Sequence, residues 1–142
     1  MITISGTGGK PSLAFAKLLR GAVKASPREE PLAVVPVVES LMDADYNARV
    51  EPTSRSKWAP RVPPTGGWPL LEKTGKMRAS RIVRPILAAI RLSYSSPGEY
   101  HQRGTPRMVA RRILPVLALP PGWSAQIGLA RVAWWRKKLG LS

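Results

Sequence analysis

His101 is the one histidine in the chain, and an imidazole that titrates near neutrality is the first group to test for acid–base or metal chemistry. A single histidine builds neither a two-histidine metal site nor the HExxH zinc motif. As a general base it needs an acid or a nucleophile beside it, and no such constellation is visible in the sequence. Glu29-Glu30 and Asp43-Ala44-Asp45 are the close carboxylate pairs. Both fall in expected helices, where residues one or two apart point away from each other, so they read as solvated helix faces. Gly6-Thr7-Gly8-Gly9-Lys10 resembles a phosphate loop only in part. Ile4 stands where that motif needs its first glycine, and Pro11 where it needs a serine or threonine, which leaves a flexible turn. Cysteine is absent, which excludes disulfides, thiolate metal sites and a thiol nucleophile. The expectation is a protein that is not an enzyme and holds no cofactor or metal.

Charge is the stronger signal. The chain carries a formal net charge of +15, with 23 basic and eight acidic side chains. Residues 1–54 are balanced, so the whole excess lies in residues 55–142, where only Glu72 and Glu99 are acidic. A field of one sign over so long a stretch needs an anionic or acidic surface opposite it. The basic residues form three groups. The first holds Lys73, Lys76, Arg78, Arg81 and Arg84, the second Arg103, Arg107, Arg111 and Arg112, and the third Arg131, Arg136, Lys137 and Lys138. Lys76, Arg78, Arg81, Arg107, Arg111, Arg112, Arg136, Lys137 and Lys138 are the candidates to face DNA or an acidic partner. Against DNA they would meet phosphates, without sequence preference. No helix-turn-helix, zinc-finger or RNP signature accompanies them.

The elements that must carry these residues follow from periodicity. Ile2-Thr3-Ile4 alternates as a short strand. From Ser12 a helix begins, with Phe15, Leu18, Leu19, Ala22 and Val23 on one stripe and Lys17, Arg20 and Lys24 opposite. Ser26-Pro27-Arg28-Glu29 has the form of a capping box, and Pro31 and Pro36 then interrupt. A second helix, kinked or late in starting, runs through Val35, Val38, Leu41, Met42 and Tyr46 to about Arg49. Residues 51–69 hold five prolines with Trp58 and Trp68, an extended arm whose aromatics pin it against something. Ile82–Leu87 and Ala89–Tyr94 read as strands, with Ile90, Leu92 and Tyr94 on one face and Arg91 and Ser93 on the other; Pro85 makes the first an edge or bulged strand. Ser95-Ser96-Pro97-Gly98 is a turn, and Met108–Leu114 could supply a third strand. Ser124 can cap a last helix within residues 123–140, ended by Gly140 and carrying Arg136, Lys137 and Lys138 at its negative dipole end. No apolar run approaches the roughly 18 residues of a membrane span, and Met1–Ser5 lacks the pattern of a signal peptide. The fold class is α+β, in a single domain over residues 1–142: N-terminal helices on a small antiparallel β-sheet, a proline-rich arm and a C-terminal helix.

Four landmarks in order resemble the virion morphogenesis, or tail-completion, proteins of Mu-like tailed phages. They are Trp58-Ala59-Pro60, then Leu71–Ser80 (similar to a "TGxLRxS" segment, with Met77 for the usual leucine), then Tyr100–Thr105 (similar to an "HQxG" element), then Pro106–Leu114 (similar to "mPaRpfl", with Arg112 where a proline is usual). The resemblance covers roughly residues 58–115. It implies an α+β subunit of a six-fold or twelve-fold ring at the head–tail junction or tail end of a virion, assembled in the bacterial host cytoplasm. Its partners would be copies of itself, the portal or adaptor, and tail-terminator or tail-tube proteins, with genome DNA in the lumen and no membrane. Thr74, Gly75, Arg78, Ser80, His101, Gln102 and Gly104 would be structural, with Thr74-Gly75 a turn and His101-Gln102 fixing a loop through hydrogen bonds.

Trp58, Trp68, Trp134 and Trp135 are the candidates for contacts between copies, because a proline-rich arm in so small a domain would lie on a neighbour, and Trp134-Trp135 offers a large apolar area. The alternative from another class is a basic protein that binds nucleic acid without sequence preference, which predicts strongly salt-sensitive binding by the isolated monomer.

Overall fold

The computed structural model describes residues 13–60, 75–95, 98–106, 109–115 and 118–141. The expected strand at Ile2–Ile4 and the glycine turn after it lie outside these residues. The chain is α+β. Its elements are α1 (Leu13–Ala48), α2 (Lys76–Ala79), β1 (Arg81–Ile86), β2 (Ala89–Tyr94), α3 (Gly98–Arg103) and α4 (Pro121–Lys138).

The two expected N-terminal helices are one. α1 runs for 36 residues, about 54 Å at the usual rise, with Pro27, Pro31 and Pro36 inside it. Each proline lacks an N–H and so frees the carbonyl four residues earlier. Pro27 frees the Val23 carbonyl, which accepts from the Ser26 hydroxyl at 3.1 Å. Pro31 frees the Pro27 carbonyl, which accepts from the Ala88 N–H at 2.7 Å. Ser26 therefore does not cap a new helix; it repairs the continuing one. Pro36 frees the carbonyl of Leu32, a residue on the exposed side.

β1 and β2 form a two-stranded antiparallel sheet in which Arg81 pairs with Tyr94, Val83 with Leu92, Arg84 with Arg91 and Pro85 with Ile90. Among the described residues both strands are edges, so Pro85 removes no ladder bond that a third strand would need. The turn is Leu87-Ala88, with Ala88 at φ 57°, and the Ala88 N–H that reaches Pro27 projects from it. Val83, Ile90, Leu92 and Tyr94 pack on Val34, Val38 and Met42 of α1 and on Trp123 of α4. A second cluster of Tyr46, Trp58, Met77 and Ile113 meets the first through Tyr94. Full burial of side chains of this size is worth about 1.5–3 kcal/mol each, so these two clusters carry most of the stabilisation.

Two further expectations are corrected. Residues 109–115 form no strand, because side chains take backbone groups of residues 112–114 and the His101 carbonyl takes the Arg111 N–H, as described below. His101 and Gln102 do fix that loop through hydrogen bonds, and they do so from the short helix α3. α4 starts at Pro121, with the buried Pro120 as its N-cap, so Ser124 is inside the helix and makes no cap bond. Its end is as expected. Gly140 takes φ 65°, the Leu141 N–H donates to the Arg136 carbonyl at 2.9 Å, and the Gly140 N–H donates to the Lys137 carbonyl at 3.3 Å. That pairing is a Schellman motif.

Candidate functional site

The carboxylates expected to be solvated are the organising charges of the fold. Asp45 is buried at 5% exposure; it accepts the Trp123 indole N–H at 2.9 Å and pairs with Arg55. Asp43 accepts from Arg81 at 2.6 Å and from Arg78 at 3.0 Å. The Arg81 hydrogen bond, with Arg78 assisting, holds the Asp43 carboxyl below its ordinary range, and the same bond raises Arg81. Glu30 pairs with Arg131 and Glu29 with Lys138. The intrahelical rule holds, since Asp43 and Asp45 do point apart. It says nothing about what each meets, and here one gathers the hairpin and the other α4.

Arg78, Arg81 and Lys138 were candidates to face a partner, and each is engaged within the chain. Arg78 lies 5.3 Å from the centroid of the Tyr46 ring as well as on Asp43, and Lys138 lies 5.8 Å from that of Trp134. Arg111 is corrected outright. It is buried, its Nε donates to the Ala59 carbonyl and one terminal nitrogen to the Pro60 carbonyl, both at 3.0 Å. It is a strut for the arm. Lys76, Arg112, Arg136 and Lys137 are exposed. Arg107 lies outside the described residues.

The arm is corrected over the part that is described. Lys57 bridges back to Val50, Pro52 is fully buried, and Trp58 stacks edge-on to Tyr46 with ring centroids 5.3 Å apart. The Trp58 indole donates to the Arg112 carbonyl at 3.0 Å. Residues 51–60 thus close over the chain's own core, where Trp58 is buried and not presented at the surface. Trp68 lies outside the described residues. Trp134 is buried against the body, edge-on to the half-buried Trp135.

Around α3 the landmark residues meet. The Gln102 side-chain oxygen accepts from the Ile113 N–H at 2.8 Å and the Leu114 N–H at 2.9 Å, and its amide nitrogen donates to the Leu114 carbonyl at 3.3 Å. The Arg111 N–H donates to the His101 carbonyl at 2.7 Å. One glutamine side chain therefore supplies the partners that a neighbouring strand would have supplied. Gly98 is required where α3 approaches β2: a Cβ there would lie 2.6 Å from the Tyr94 Cβ. Gly104 at φ 76° ends α3, its N–H donating to the Tyr100 carbonyl at 2.7 Å. Gly75, at φ 65°, starts α2, and Ser80 closes that helix by donating to the Met77 carbonyl at 2.8 Å; Thr74 lies outside the described residues. The His101 Nδ1 is buried without a hydrogen-bond partner, and burial, with Arg111 nearby, lowers its pKa. No nucleophile or carboxylate is bonded to it among the described residues, and no cluster of three metal-binding side chains occurs among them.

Among the described residues, two surfaces stand out as exposed. Leu18, Leu19 and Val23, on the first third of α1, are 43%, 39% and 55% exposed although their spacing marks a buried face. Arg84 and Arg91 face each other across the hairpin. Periodicity identified the first set as an apolar stripe; the second was legible only once the register was known. A cleft of about 510 Å³ also opens between the hairpin and α4, floored by Pro31, Val34 and Val38. No described helix is long and apolar enough to cross a membrane. No family model matches the chain, and neither a curated protein nor a solved structure matches it.

Proposed function

We propose that the chain is a structural subunit of a tailed-phage particle, which joins or completes the tail as one copy of a ring at the head–tail interface. The uncovered stripe of α1 is the observation that carries this reading. Leu18, Leu19 and Val23 are exposed on the first third of α1, although Ala22 between them is buried. An apolar helical face left open at one end meets a different surface on the next copy, and that head-to-tail relation closes rings. The four sequence landmarks between residues 58 and 115 supply the phage setting, with portal or adaptor and tail-terminator or tail-tube proteins as neighbours. The arm no longer supports the reading, because its described part is internal.

The first test is the mass of the purified chain in solution, alone and with a Leu19→Glu variant. The expected outcome is a multimer that the variant dissociates into folded monomers. A wild-type chain that stays monomeric at high micromolar concentration, alone and with portal or tail-tube proteins, removes the proposal. Deletion of the gene from its phage should leave filled heads and separate tails, and normal infectious particles would remove it equally.

A further inference from the structure

We infer that the outer face of the β1–β2 hairpin binds the sugar–phosphate backbone of duplex DNA, with Arg84 and Arg91 gripping phosphate oxygens side by side. The inference goes beyond the ring and does not depend on it.

Residues that pair across an antiparallel ladder share a face. Arg81, Val83 and Pro85 with Tyr94, Leu92 and Ile90 form the inner face, turned to α1. Ile82, Arg84 and Ile86 with Ser93, Arg91 and Ala89 form the outer one. Arg84 and Arg91 are directly opposed and both exposed. Like charges in that position destabilise a hairpin. Neither guanidinium makes an ion pair or a hydrogen bond among the described residues. A local rule broken without an internal compensation marks a place where an external partner supplies it.

Among the described residues no carboxylate compensates the pair. Glu29, Glu30, Asp43 and Asp45 are held by Lys138, Arg131, Arg81 with Arg78, and Arg55, Glu51 accepts the Ser54 hydroxyl, and Glu39 on α1 is bonded to neither arginine. Two adjacent planar forks suit oxyanions that accept two bonds each. A polyanion is favoured over an acidic protein surface for two reasons. The face carries no aromatic anchor of the kind that centres a protein interface. The whole chain, at +15, presents a field that only a partner of extended negative charge matches. A two-stranded ribbon is also narrow enough to enter the major groove, about 12 Å wide.

The experiment measures binding of a labelled 30-base-pair duplex to the full chain by fluorescence anisotropy over a salt series. Wild type is compared with an Arg84→Ala, Arg91→Ala double variant. An Arg136→Ala, Lys137→Ala double variant removes the same charge from the exposed end of α4. The hairpin variant should bind at least tenfold more weakly, with the slope of log affinity against log salt shallower by about two. The α4 variant should lose distinctly less. Melting curves accompany the assay, and the hairpin variant should melt at or above the wild-type temperature, because two opposed charges are gone. Equal losses in both variants, or no loss in the hairpin variant, overturn the inference. So does polyglutamate that binds as tightly as DNA with the same dependence on the two arginines, which would point to an acidic protein instead. The solution mass separates the two proposals: a monomer with arginine-dependent DNA binding sinks the ring alone, and a ring indifferent to DNA sinks this inference alone.

Discussion

α1 is one helix with two fates. From Pro31 to Tyr46 its apolar stripe is buried under the hairpin, α4 and the returning arm, and Asp43 and Asp45 along it meet arginines. From Phe15 to Lys24 the same amphipathic spacing is present, yet the leucines are exposed and the cations face solvent. Both stretches carry an apolar stripe, yet between Phe15 and Lys24 only Ala22 is buried, so the stripe alone does not decide which is covered. Charge does. All the carboxylates of α1 fall between Glu29 and Asp45, and the basic second half of the chain docks on that stretch. The +15 excess is therefore partly a folding device: several of the cations that look destined for a partner are spent on α1.

The sharpest way to break this contrast is to remove the carboxylate at its centre. Asp45→Ala leaves the Trp123 N–H buried without an acceptor and Arg55 without its ion, and should cost about 2–4 kcal/mol in denaturant unfolding. Asp45→Asn keeps an acceptor and should cost about half as much. Gln102→Ala comes next. It strips three hydrogen bonds from residues 113–114, and a loss of about 2 kcal/mol is expected, with faster amide exchange confined to that segment.

Acid is a milder probe of the wrapped half. The folded-state pKa of Asp43 is depressed, so its contribution is complete above the ordinary carboxylate value and fades as pH falls below it. His101 is depressed as well. Its unfolded form protonates first as pH drops below about 6.5, so some stability is lost over that window before Asp43 titrates. The melting temperature should therefore fall in two stages. A flat profile from pH 7 to 5 would show that His101 is solvated after all. The smallest effect belongs to the bare half: Leu19→Glu should change unfolding free energy by less than about 0.5 kcal/mol, because the monomer does not bury that side chain. A large loss would mean that the first third of α1 is part of the core.

Much of the fold was legible. Alternation in Ala89–Tyr94 marked the second strand and Gly140 the end of α4, whereas Leu87, read as the end of the first strand, lies in the turn. The prolines of α1 misled because propensity treats each as a lost bond, whereas Ser26 and Ala88 supply the missing donors from a side chain and from another element. The third strand misled because Met108–Leu114 has strand-like composition, while a glutamine eleven residues earlier in the chain already satisfies Ile113. Arg111 and Trp58 read as surface features by residue type; each became internal through carbonyl acceptors that no local pattern reveals. The unmatched arginine pair required the strand register, which sequence spacing alone leaves open.

The bond between Ala88 and Pro27 has one more consequence. A ribbon lying on a smooth helical surface could slide along it, trading one set of oily contacts for another of similar worth. Here the helix offers a vacant acceptor at one height, and the tip of the ribbon brings a matching donor. Slippage by a single residue would leave both empty and turn the greasy side of the ribbon to water. An imino acid that is costly in an isolated helix thus acts in the assembled molecule as a notch that sets the alignment of the two parts.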